Sequence, residues 1–76
     1  MSAVDRRTVA RWLEARGFVA RTGATSHVNY TRDGVVITLQ GHGSRELSKK
    51  HVGMILRQLE RAGYVREEVR REWQEG

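Results

Sequence analysis

The sequence predicts an α+β fold: a single small domain spanning residues 1–76, in the order α-β-β-β-α-α. Three observations carry this. Ser26-His27-Val28-Asn29-Tyr30-Thr31-Arg32-Asp33-Gly34 runs directly into Val35-Val36-Ile37-Thr38-Leu39, which reads as a hairpin around an Asp-Gly turn. Stretches before and after it repeat apolar residues at helical spacing. The order then leaves one economical solution, a three-stranded antiparallel sheet with helices packed on one face.

Residues 5–16 read as the first helix. Val9, Trp12 and Leu13 recur at helical spacing, with Arg6, Arg7, Arg11 and Arg16 on other faces. Asp5 suits an N-cap, and Gly17 suits the left-handed residue that ends a helix. Phe18-Val19-Ala20-Arg21 reads as a short strand and Thr22-Gly23-Ala24-Thr25 as a turn. Strands follow at 26–32 and 35–39. Alternation puts Val28, Tyr30, Val35, Ile37 and Leu39 on one face, and His27, Asn29, Thr31, Val36 and Thr38 on the other. One face of the hairpin is therefore apolar, and the other carries a histidine.

Gln40-Gly41-His42-Gly43-Ser44 reads as a loop. Ser48 caps a second helix reaching about Ala62, with Val52, Ile55, Leu56 and Leu59 as its buried stripe. Gly63 closes it. Val65, Val69 and Trp73 recur every four residues and mark a short last helix over 65–75. Trp12, Tyr30 and Leu56 read as core. Two placements stay open for Trp73: packed back on the first helix, or exposed as an anchor for a partner protein.

Composition narrows the function classes. The chain has 76 residues, 14 basic against 9 acidic, and a formal net charge of +5. Twelve of the fourteen basic residues are arginine, whose planar fork suits phosphate oxygens; a GC-rich genome also enriches arginine. Residues 67–76 hold four glutamates against two arginines, a net of −2, so residues 1–66 carry +7. A polyanion is the expected partner, met by the body and not by the tail. There is no cysteine, which excludes disulfides and thiolate metal sites. No apolar run is long enough for a membrane span, and no signal-peptide core opens the chain. The expectation is a soluble cytoplasmic protein with no membrane partner. His27, His42 and His51 lack the spacing of known zinc sites, so neither a metal nor another cofactor is expected.

Along the chain, Leu13-Glu14-Ala15-Arg16-Gly17-Phe18 comes first. Arg21, a small-residue turn and Ser26-His27-x-x-Tyr30 follow. Then come Leu39-Gln40-Gly41-His42, Glu46-Leu47, Ile55-Leu56-Arg57-Gln58 and the trailing Val65-Arg66-Glu67-Glu68-Val69. In that order they resemble the HicA family of toxins, the mRNA interferase component of HicA–HicB toxin–antitoxin pairs. The chain departs from the family pattern at Thr25, Gln40 and Lys50-His51, where glycine, proline and Gly-Thr are usual.

The resemblance implies a fold like that of double-stranded-RNA-binding domains, mRNA as substrate, a HicB-like antitoxin as partner, and a catalytic histidine at His27. Histidine chemistry fits: metal-free RNA cleavage needs a base for the 2′-OH proton and an acid for the leaving 5′-oxygen, and histidine serves either role near neutrality. Arg21, on the neighbouring strand, is the candidate for stabilising charge on the phosphorane. Asn29 and Thr38 are candidates to contact RNA sugar or orient His27. His42 is a candidate RNA contact in its glycine-flanked loop. Arg45, Lys49 and Lys50 cluster where the second helix starts, a basic helix terminus suited to phosphate. His51 is expected beside them as a phosphate contact. Two other classes remain open: a non-catalytic RNA-binding module of the same fold, and a small phage-type DNA-binding regulator. The hairpin argues against the last, since a helix-turn-helix core does not need one.

Overall fold

In a computed structural model of the chain, residues 4–22, 27–40 and 46–75 are described. They form α1 (Arg6–Ala15), β1 (Val19–Thr22), β2 (His27–Arg32), β3 (Val35–Gln40), α2 (Lys49–Arg61) and α3 (Arg66–Glu75). The expected order is observed, with element ends shifted by a residue or two. Residues 23–25 of the expected turn, residue 26 of the expected second strand and residues 41–45, which cover most of the expected loop, lie outside the described residues.

Local chemistry sets the boundaries. The Asp5 carboxylate caps α1 by accepting from the Arg7 N–H at 2.8 Å. Gly17, just past its end, has φ of +89°, where L side chains are strained. Ser48 Oγ caps α2, accepting from the His51 N–H at 3.1 Å. At the hairpin tip Asp33 has φ of 49° and Gly34 has φ of 84°. Two consecutive positive angles are what a type I′ turn requires.

That turn fixes the register. The sheet order is β1-β2-β3, both pairs antiparallel. Tyr30 pairs with Ile37 and with Ala20; Asn29 pairs with Thr38 and with Arg21; His27 pairs with Gln40. Tyr30, Ile37 and Leu39 are buried, Val28 and Val35 partly so. They meet Val9, Trp12 and Leu13 of α1 and Val52, Ile55, Leu56 and Leu59 of α2 in one cluster. The opposite face carries Val19, Arg21, His27, Asn29 and Val36, all exposed. The segment before α2 is tied to the start of α1 by the Leu47 N–H donating to the Val4 carbonyl at 2.9 Å.

The structure settles Trp73. It is 5% exposed and meets Trp12 edge-on, with ring centroids 6.1 Å apart. The exposed-anchor placement is therefore incorrect. Val69 and Trp73 lie on one face of α3, and an apolar indole gains more by joining the core than by facing water. Tyr64 completes the corner at 5.4 Å from Trp12. Glu72 accepts from the Trp12 indole N–H at 2.7 Å and pairs with Arg16, whose guanidinium lies 3.9 Å from the Trp12 ring centre.

Candidate active site

The polar face of the sheet is ordered in rows. Arg21, Asn29 and Thr38 form one row across the three strands. The Thr38 hydroxyl donates to Asn29 Oδ1 at 3.0 Å, so the two side chains hold one another. His27 stands on the same face of β2, two residues from Asn29, and is exposed.

Helix α2 closes the site from the β3 side. His51, in its first turn, brings Nε2 within 3.1 Å of the Thr38 carbonyl. A carbonyl only accepts, so Nε2 is the nitrogen that carries hydrogen. The ring is 8% exposed. The imidazole pins the start of α2 to β3 through that nitrogen, a structural contact beside the phosphate contact expected of the residue.

Between His27 and α2 lies a cleft of about 890 Å³, lined by His27 and Thr38 from the sheet and by residues of α2 from its Ser48 cap to Gln58. Lys49, Lys50, His51 and Arg57 are among them, and among the described residues no aspartate or glutamate is. Among the described residues Lys49, Lys50 and Arg57 enter no ion pair. Three permanent cations around an open cleft with no counter-charge attract an anion. On the other side of the sheet, burial pushes the Tyr30 phenol above its ordinary 10.0, and the negative charge of Glu14 adds to that.

The cleft gathers five of the expected residues, His27, Thr38, Lys49, Lys50 and His51. Asn29 touches it only through Thr38. Arg21 is exposed on β1, diagonal to His27 and outside the lining. His42 and Arg45 lie outside the described residues. Arg57 is the residue that sequence reasoning did not single out. Its spacing from Lys50 and Gly53, i+7 and i+4, is the signal that places the three on one stripe of α2. Among the described residues no group of three His, Asp or Glu side chains converges as a metal site requires, and no helix is long and apolar enough to cross a membrane.

The frame is thus a small sheet with one face packed by helices and the other bordered by a cationic cleft. The model of the HicA toxin of bacterial toxin–antitoxin systems matches residues 6–66. That is most of the chain, and the protein belongs to the HicA toxin family. A cognate antitoxin, HicB, is the partner that membership implies. No curated protein gives a significant match.

Proposed function

We propose that the protein is a toxin endoribonuclease, an mRNA interferase, that cleaves RNA without metal in the cleft between His27 and α2. The observation that carries this reading is the shared lining of that cleft: an exposed strand histidine opposite Lys49, Lys50 and Arg57, with no carboxylate among the described lining residues.

In this reading a phosphodiester enters the cleft on the cationic side. His27 is the acid–base group: it takes the 2′-OH proton as that oxygen attacks the neighbouring phosphorus, or protonates the departing 5′-oxygen. Lys50 and Arg57 hold the phosphate and stabilise the extra charge of the phosphorane, the role that sequence reasoning gave to Arg21. Arg21, Asn29 and Thr38 extend the contact across the sheet, and His42 and Arg45 add to it from the segment between β3 and α2. The antitoxin silences the enzyme most simply by laying an acidic surface over His27 and Arg21, which excludes RNA.

The test is induced expression of wild type and His27→Ala, with growth and RNA integrity followed, together with cleavage by purified protein in EDTA. Wild type is expected to arrest growth and to leave 2′,3′-cyclic or 3′-phosphate ends with 5′-hydroxyls. His27→Ala is expected to lose at least about 100-fold in cleavage rate. Its Tm should stay close to wild type, because the side chain is exposed and opens no cavity. Equal toxicity of the two proteins sinks the catalytic assignment and leaves an RNA-binding module.

A further inference from the structure

Helix α2 carries a glycine in its interior. Gly53 is the fifth residue of a thirteen-residue helix, a position where glycine is disfavoured against alanine because it has more backbone freedom to lose. Two ordinary reasons for such a glycine are absent. Its φ is not in the left-handed region, unlike those of Gly17, Gly34 and Gly63. A Cβ built on it would meet no atom within 4 Å. Neither backbone conformation nor packing within the described fold calls for glycine here.

Its surroundings supply another reason. Gly53 lines the cleft together with Lys50 and Arg57. Lys50 precedes it by three residues and Arg57 follows it by four, so all three share one stripe of the helix surface. An anion held by both cations lies over Gly53, in the space a side chain there would fill. Met54, beside it in the lining, is 41% exposed and offers an apolar surface.

We propose that Gly53 keeps the α2 wall of the cleft open, so that the sugar–phosphate backbone of RNA seats directly against the helix between Lys50 and Arg57. Gly53 is thus a substrate-admitting position, held at the expense of helix stability. This rests on the ribonuclease reading above and adds to it where the strand lies.

The test compares wild type, Gly53→Ala and Gly53→Leu as full chains. Tm is read by thermal melting and Kd is read with a single-stranded RNA carrying 2′-O-methyl groups, which cannot be cleaved. Gly53→Ala is expected to raise Tm by about 4 °C and to weaken RNA binding by about tenfold. Gly53→Leu is expected to weaken binding by about a hundredfold without lowering Tm below wild type. A structural role for the glycine moves Tm the other way: Tm falls, affinity falls only in step with the loss of folded protein, and that result overturns the proposal. So does a more stable Gly53→Ala protein that binds RNA as wild type does. Wild type that binds no RNA overturns the ribonuclease reading and this inference together, whereas RNA binding equal in all three proteins overturns this inference alone.

Discussion

Two regions of this molecule use similar side chains to opposite ends. At the corner between α1 and α3, Trp12, Tyr64 and Trp73 pack edge to face, and the charges beside them cancel: Glu72 accepts from both Trp12 and Arg16, and Arg16 covers the Trp12 ring. At the other side of the sheet, His27 faces Lys49, Lys50 and Arg57 across an open cleft with no carboxylate among its described lining residues. The first region pairs its charges among themselves and buries its rings, which contributes stability. The second leaves like charges together, which costs stability in the free protein and is repaid only when an anion binds. A glycine in the helix wall points the same way. The difference separates a region that holds the fold together from one whose cations Lys49, Lys50 and Arg57 enter no ion pair among the described residues.

The comparison breaks most sharply at Trp73. Trp73→Ala removes a buried indole from the corner and is expected to cost about 3–5 kcal/mol. That is a large share of the stability of a domain this size. Urea denaturation should show the loss, while RNA affinity per folded molecule stays near wild type. A proportionate loss of RNA affinity in the folded fraction would mean that the corner is part of the binding surface.

A second pair of variants sharpens the electrostatic half. Lys50→Ala with Arg57→Ala should weaken RNA binding across sequences and flatten the dependence of log Kd on log salt by about 1.4, at roughly 0.7 per phosphate contact on a single strand. Arg7→Ala with Arg11→Ala removes the same net charge from exposed positions of α1 outside the cleft. That pair should leave the slope nearly unchanged. Equal slopes from the two double variants would reduce the cleft to an ordinary solvated face.

The smallest expected effect concerns the sheet between the two regions. The Tyr30 phenol is raised above 10.0 in the folded protein, by burial first and by Glu14 second. The fold therefore favours the neutral phenol. Its contribution is fully present below pH 10 and is lost as pH rises from there through the higher folded value, since the unfolded chain releases the proton first. Tyr30→Phe should remove that alkaline decline while leaving stability at neutral pH little changed. An identical decline in the variant would assign it to other groups.

Most of the fold was legible in the sequence because it is written in local signals. Asp5 and Ser48 cap where capping chemistry places them, Asp33-Gly34 sets the turn, and the stripe from Val52 to Leu59 is buried as its spacing demands. The face of β2 that carries His27 followed from alternation alone. The site was only half legible, because a cleft belongs to two elements at once. Helical periodicity told the buried face of α2 from the rest, but not which exposed residues would stand over the sheet. Arg57, which lines the cleft, was therefore not singled out, whereas Arg21, which stands outside the lining, was. His51 was placed with the lysines by proximity in sequence, yet one residue further round the helix turns its ring inward to the Thr38 carbonyl. Trp73 was open between two places until the packing of α3 against α1 decided it.

The central claim is that nucleic acid is bound at the cleft and not at the aromatic corner. Titration of isotope-labelled protein with an uncleavable 2′-O-methyl RNA, followed by NMR, tests it directly. Amide shifts should move at His27, Thr38, Lys49, Lys50, Gly53 and Arg57, while Trp12, Tyr64 and Trp73 stay where they are. Shifts confined to the α1–α3 corner, with the cleft unmoved at saturating RNA, would contradict the account.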